Sequence, residues 1–592
     1  MPVNANRSLS VTPGASPWTR AARVAQRAFL GSAVALAACS PPPADRVFTG
    51  GTVYTADAEQ SRAEAVAVRG ERIVYVGSAE GARRFVGEET DVVELEGRML
   101  LPAFRDAHVH AISAGIELGQ CDLNDLRSLE EIRARVAACA EARGTAPWIV
   151  GGGFDLGLFP GGAPGRQLLD SLTGPVPTYL SSADGHSAWV NTAALAAAGI
   201  DRSTPDPDAG VIVRDASGAP QGTLRETATD LVSAHLPPTP PAARAEGLRR
   251  ALERMGRFGI VSFQEASASE AFLETYHAAA TEGWLTARVR AAQRVDRTQG
   301  PEQVDAMKAR RERYQAPRLS ANSAKIFVDG VIEGGTAALL EPYLPLPGEA
   351  ADVSGPDGRG LPNYTPDALT ALVARLDAEG FQVHMHAIGD RGIRMALDAL
   401  EAARASNGVR DARHHLAHIQ LVHPDDRDRF AALDAVANVQ PLWSFADAYM
   451  TELTEPRLGP ERSAWQYPLR SLADSGARLA AGSDWSVSSL NPLDAIQVAV
   501  THRSLEPGPD EPVWNPDERV DLPTVLDAYT RGGAWVNFEA AESGSIEPGK
   551  LADLIVLDRD LFGTDPVDIH RARVLLTLLE GELVFRDPAL GG

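Results

Sequence analysis

The chain has 592 residues, 44% hydrophobic and 23% charged, with a formal net charge of −23. That length exceeds what one hydrophobic core ordinarily supports, so a large domain and at least one smaller one are expected, and the composition excludes disordered and fibrous classes. The acidic balance argues against nucleic acid as a partner, because phosphate binding needs clustered Lys and Arg. With three cysteines and no Cys-x-x-Cys pair, any metal would have to be held by His and carboxylates.

At the N-terminus, Arg20, Arg23 and Arg27 precede a short apolar run from Ala28 to Ala38 that ends at Cys39. The run is too short to span a bilayer, and its flank and small residues describe a secretory signal. Leu36-Ala37-Ala38-Cys39 resembles the lipobox of bacterial lipoproteins, which implies a signal peptide over residues 1–39 and lipidation at Cys39. Residues 40–46, with Pro41-Pro42-Pro43, then read as an extended tether. The competing readings are a plain signal peptide and a disordered N-terminus. The lipobox reading expects a cell-envelope lipoprotein, periplasmic or anchored at the outer membrane, touching the membrane only through its lipid.

From Val47 to Leu101, short β-like runs alternate with turns: Thr52–Thr55, Ala65–Val68 and Ile73–Val76, broken by glycines at 70, 77, 87 and 97. The far end repeats the texture in Ala552–Leu557 and Leu583–Phe585. Segments 47–101 and 541–592 are therefore expected to meet in one composite β-sandwich.

Between them, over 102–540, apolar strand-like runs alternate with amphipathic helices, the pattern of parallel βα units. Strands ending near Asp106, Gln264, Gln293, Asp329, His386, His418, Gln440 and Asp484 predict an α/β fold, a (β/α)₈ TIM barrel. Helical spacing places helices at Ala242–Phe258, Pro366–Glu379, Gly392–Ala405 and Pro424–Leu433. The interval 116–236, after the first strand, is too long for a loop and predicts an inserted subdomain. It holds a helix over Leu129–Arg143, a glycine run at 151–153 and a strand at Val211–Val213. Cys121 and Cys139, the cysteines left once Cys39 is lipidated, can bond in an oxidising compartment if the chain folds back.

In Asp106-Ala107-His108-Val109-His110 the two His project on one side of an extended strand. Alone this is weak, since His-x-His is commonly coincidental. It gains weight because His386, His418 and Asp484 also close strand-like runs, and strand ends of such a barrel converge on one mouth.

The order of these segments resembles the amidohydrolase superfamily, in particular the amidohydrolase family 3 branch that includes N-substituted formamide deformylases. The resemblance rests on Leu101–His110, Ala324–Gly330, His386–Arg391, Gly482–Trp485 and Ile546–Leu557, and in the insertion on Asp184–Asn191 and Gly222–Glu226. It implies that His108 and His110 hold the more buried of two metals and His386 and His418 the more exposed one. Lys325, once carboxylated, would bridge the two; its alternative is a barrel-interior Lys paired with Asp329 or with a structural carboxylate. Two zinc ions are the default, with manganese or iron compatible with the same ligands.

Asp484 is then both a metal ligand and the general base, relaying a proton from metal-activated hydroxide to the departing nitrogen of a small-molecule amide or cyclic amide. His186 and Trp443 are candidate substrate contacts, with Phe445 beside Trp443; the alternatives are a structural hydrogen bond in a lid for His186 and packing for the two aromatic residues, while His384 has ligand-like spacing without the matching context. His414, His415 and His423 read as packing or surface residues. The insertion is expected to cover the barrel mouth and confer selectivity. After Gly330 the chain reads Val331-Ile332-Glu333-Gly334-Gly335-Thr336, where formamide hydrolases carry small residues and an Arg, so deformylase specificity does not carry over. The rivals are a deaminase, disfavoured because Ala387-Ile388-Gly389-Asp390 follows His386 where deaminases place a Glu, and a non-catalytic binding lipoprotein. A homodimer is compatible with the sequence.

Overall fold

A computed structural model describes residues 41–59, 61–124, 126–346, 355 and 357–590. The signal peptide and lipobox expected over residues 1–39, with Cys39, lie outside the described residues.

Eight parallel strands form one sheet: β1 (Phe104–Val109), β2 (Ile260–Ala268), β3 (Arg288–Arg294), β4 (Leu319–Phe327), β5 (Gln382–Ala387), β6 (His415–His418), β7 (Val436–Val439) and β8 (Leu479–Ala481). Each pairs with its neighbour in chain order. Past the end of β8 the chain returns to β1, where the Asp484 N–H donates to the His108 carbonyl at 2.7 Å. Gly482 makes this closure, because a Cβ there would overlap the His108 backbone. The fold is a TIM barrel.

Period 2 sorts the strand residues between interior and helices. In β5, Val383, Met385 and Ala387 join the main apolar core. The alternate positions are polar: Gln382 accepts from Gln264 of β2 at 3.0 Å, and His384 and His386 stand above it. Helices at Pro241–Arg257, Pro366–Ala378 and Asp390–Asn407 match their predicted positions within two residues. The predicted helix at 424–433 opens as a 3₁₀ turn, Pro424–Asp426, before Arg427–Leu433.

The interval after β1 builds its own six-stranded mixed sheet, in the order Gly210–Arg214, Pro220–Glu226, Ser187–Val190, Thr178–Ser182, Ile149–Phe154 and Cys121–Asp122. Its helix Leu129–Ala142 starts at a capping box, with the Ser128 hydroxyl accepting from Glu131 N–H and the Glu131 carboxylate accepting from Arg127 N–H. Cys121 on the edge strand is bonded to Cys139 on that helix, with Cα atoms 5.7 Å apart, a closure worth about 3 kcal/mol in the chain-entropy model. Gly151 and Gly152 lie inside a strand, where a Cβ would overlap the Cys121 carbonyl and the Ser181 hydroxyl. They serve close strand approach, not a hinge.

Both ends of the chain share a second six-stranded sheet in which Met99–Pro102 pairs with Leu554–Leu557. A four-stranded sheet from residues 46–94 packs on it through Phe48, Val66, Leu100, Val556 and Leu576.

One carboxylate joins this sheet to the barrel floor. Asp553 accepts from the wholly buried Arg105 of β1 at 2.9 Å and also pairs with Arg288 of β3, which reaches Glu580 at 2.7 Å. Without Asp553, the remaining carboxylate at Arg105 is Glu539 at 3.6 Å. Removing one partner of a buried pair strands the other charge, so Asp553→Ala is expected to lose about 3–5 kcal/mol of unfolding free energy, read from urea titration.

Candidate metal centre

The carboxyl ends of β1, β5, β6 and the turn after β8 converge. His108 is fully buried and His110 half-buried at the end of β1, and His386 and His418 close β5 and β6. Asp484 lies three residues beyond β8, in a turn rather than on the strand. His418 and Asp484 both adopt left-handed backbone, with φ 74° and 52°, a conformation costing roughly 1–3 kcal/mol for such residues and typical of functional sites. Backbone bonds hold them there: Asp484 N–H to the His108 carbonyl at 2.7 Å, and Ile419 N–H to the Ala387 carbonyl at 3.0 Å.

The Asp484 carboxylate is the hub. Its Oδ1 lies 3.3 Å from His108 Nε2 and 3.2 Å from His110 Nε2, and its Oδ2 lies 3.8 Å from His418 Nδ1. The ligand-competent atoms of His108, His418 and Asp484 all fall within 4.8 Å of one another. The cluster takes in His418 from the second expected pair, and His110 Nε2 approaches the same carboxylate as closely as His108 does. His386 turns its Nε2 to the Gly330 carbonyl at 3.2 Å, and its ring lies 4.6 Å from that of His418.

The donor chemistry fits a divalent cation. Asp484 Oδ1 and His418 Nδ1 are buried without a hydrogen-bond partner, which is costly unless something else satisfies them. Burial, with like-charged neighbours, pushes His386 and His418 well below the usual imidazole range and His108 down to about 3. Neutral rings keep the lone pair a cation needs. Burial opposes ionisation of Asp484, but His108, His110 and His418 outweigh it and hold its carboxyl well below the usual range.

Neighbours orient these rings. His384 Nε2 lies 2.9 Å from His108 Nδ1, leaving Nε2 of His108 to face Asp484. Glu265 Oε1 stands 3.8 Å from His110 Nδ1, while the Tyr276 hydroxyl donates to Glu265 Oε2 at 2.6 Å. Such partners set which ring nitrogen carries the proton. Glu265 escapes the sequence reading because the second strand was expected to end near Gln264 and in fact runs to Ala268. His384 shares the inward face with His386 but sits one pleat deeper.

Lys325 on β4 is 1% exposed, its Nζ 3.3 Å from His108 Nε2 and 4.8 Å from the Phe327 ring centroid. Burial pushes it down to about 7. It does not pair with Asp329, whose oxygens accept from the backbone N–H groups of Ala338, Ile388 and Gly389.

His414, His415 and His423 have structural partners. His415 packs on His384 at 4.1 Å, His414 accepts from Val383 N–H and meets Asp377 at 3.0 Å, and His423 caps the turn at Asp425.

His108, His110, Lys325, His386, His418 and Asp484 line a cavity of about 990 Å³ whose wall also includes Asp184, His186 and Glu226 of the insertion. The His186 ring lies 4.9 Å from that of His386, and its Nδ1 is 2.9 Å from Glu226 Oε2. Burial disfavours the charged ring, yet Glu226 prevails and raises His186 to about 9. Trp443 stacks on His418, with centroids 5.7 Å apart and planes 14° apart, and is not among the cavity-lining residues.

Residues 91–585 match the amidohydrolase family. The chain is 32% identical to the Arabidopsis thaliana protein LONG AFTER FAR-RED 3, over 93% of this chain and 94% of that one. It is 27% identical to the N-substituted formamide deformylase of Arthrobacter pascens, over 91% and 98%. The structure of an uncharacterized metal-dependent hydrolase from Pyrococcus horikoshii superposes with a TM-score of 0.68 at 25% identity, covering 88% of this chain and 99% of that one. The chain belongs to the amidohydrolase family, metal-dependent hydrolases in fold.

Proposed function

We propose that this protein hydrolyses the C–N bond of a small amide or cyclic amide. The observation that carries the reading is the buried Asp484 carboxylate, its oxygens 3.2–3.8 Å from three imidazole nitrogens beside a large cavity. His108, His110, His386, His418, Lys325 and Asp484 would hold the divalent ions, two zinc by default and manganese or iron by the same ligand chemistry. Such an ion, when bound, acidifies water and polarises a carbonyl.

Asp484 takes the proton of the attacking water as the new C–O bond forms. It delivers that proton to the nitrogen as the C–N bond breaks, since an unprotonated amide nitrogen is a poor leaving group. His384 and Glu265 keep the rings of His108 and His110 in position. His186, on the insertion side of the cavity, touches substrate away from the reacting carbon and sets selectivity, with Trp443 fixing His418 beside it.

We place the enzyme in the cell envelope, anchored by lipid on Cys39. The Cys121–Cys139 bond supports an oxidising compartment.

The test is turnover by purified, zinc-loaded protein on N-formyl amines, anilides, cyclic amides and aminopurines. The expected result is release of a carboxylate and an amine, with His108→Ala losing both metal content and turnover. Release of ammonia from the aminopurines alone would indicate a deaminase. Full metal content and full activity in His108→Ala would reject the assigned centre.

A further inference from the structure

The cavity has a second chemical pole outside the candidate metal ligands. Arg294, Arg297 and Arg310 all reach its wall, although acidic residues outnumber basic ones in the chain by 79 to 56. Arg294 is the last residue of β3, in register with Lys325 of β4. Its guanidinium lies 5.8 Å from the Phe327 ring centroid, and that ring lies 5.4 Å from His386. Phe327 therefore bridges the arginine side and the ligand side of one cavity.

None of the three has a carboxylate within 4.0 Å among the described residues. The Arg294 side chain makes no hydrogen bond to a described residue. Arg297 donates to the Asp208 backbone carbonyl at 2.7 Å, and Arg310 donates from Nε to Gln293 Oε1 at 2.9 Å.

Two acids of the cavity wall, Glu270 and Asp296, have close partners other than these arginines. Glu270 is engaged by Arg313 at 3.3 Å and the Tyr314 hydroxyl at 3.2 Å. Asp296 accepts from the Thr298 N–H and hydroxyl and from Gln299. The three guanidinia thus face the cavity without an ion-pair partner within 4.0 Å, Asp296 acting on Arg294 only at longer range, and their charge is available to an entering anion. A guanidinium presents a planar fork that matches a carboxylate in two parallel hydrogen bonds.

We propose that Arg294, assisted by Arg297 and Arg310, binds an anionic group of the substrate, so that the preferred substrates are carboxylate-bearing amides. This rests on the amide-hydrolase reading. Phe327 offers its face to the part of the substrate between the carboxylate and the reacting bond.

Binding and turnover separate the two readings. The probes for binding are 3-benzoylpropionate and its neutral amide, 3-benzoylpropionamide, in which a methylene replaces the nitrogen of hippurate and of hippuramide. Calorimetric titration of the full mature protein is expected to give at least about tenfold tighter binding of the anion, weakening with added salt. Arg294→Gln, an exposed position, should bring the pair within about twofold while leaving the neutral probe unchanged, and Arg310→Gln should act in the same direction more weakly.

Equal binding of the two probes by the wild type, binding of neither, or an undiminished preference in the Arg294→Gln/Arg310→Gln double variant would overturn the proposal. Hydrolysis of hippurate and hippuramide is measured in parallel. An Arg294-dependent preference with no turnover of any amide would leave the anion pole standing and remove the hydrolase reading. Turnover with no charge preference would do the reverse.

Discussion

Asp484→Asn is expected to lower kcat on an amide substrate by about 10²–10⁴ while the fold is retained. Asn matches Asp in size and tolerates the left-handed backbone held at this position, φ 52°, so the change isolates the charge. The wild-type carboxylate is 5% exposed and faces His108, His110 and His418. A carboxamide in that place cannot take up the proton of water, and the departing nitrogen is left without a donor. The measurement is kcat at saturating zinc, with metal content and thermal midpoint recorded on the same sample. A variant that keeps its metal and stays within about threefold of wild-type kcat would remove Asp484 from proton transfer.

Lys325→Ala should reduce activity by about 10² or more, with partial recovery on adding formate, acetate or propionate. Lys325 is nearly inaccessible, makes no ion pair within 4.0 Å among the described residues, and has its Nζ 3.3 Å from His108 Nε2. Desolvation of an ammonium there outweighs the attraction of Asp484 and Glu265. With the side chain depressed to about 7 by burial, a neutral amine is available at neutral pH. That amine can add to carbon dioxide, forming an N–C bond and losing one proton, to leave a carbamate anion with two donor oxygens. A small carboxylate can occupy the space opened by Ala and present two similar oxygens. Labelled bicarbonate gives a second readout: a carbamate carbon signal in wild type that is missing in the variant. An unmodified lysine in fully active, zinc-loaded enzyme would reject the bridging role.

The strand-end residues show how far pattern reading reaches. His108, His386 and His418 are legible because barrel topology sends the carboxyl ends of parallel strands to one face, so a polar residue ending an apolar run is already placed. Asp484 was expected at the end of the eighth strand and instead follows it with left-handed backbone, where its N–H donates to the His108 carbonyl and its carboxylate faces the His108 ring. Glu265 and Arg294 each sit one residue past where sequence patterning would end their strands. Their side chains matter through what they face across the barrel, which hydrophobic periodicity does not encode.

By itself, the order of apolar runs, breakers and His or Asp residues determined the barrel, the insertion after its first strand and most of the candidate ligands, because these follow from local periodicity and from the direction in which parallel strands run. Tertiary structure alone decided that His108 groups with His418 and Asp484, that His384 rather than solvent meets His108 Nδ1, that Lys325 lies apart from Asp329, and that Cys121 reaches Cys139. Each of these depends on distances between residues far apart along the chain or on how a helix folds back over its sheet, and those distances are set by packing in three dimensions, not by spacing along one.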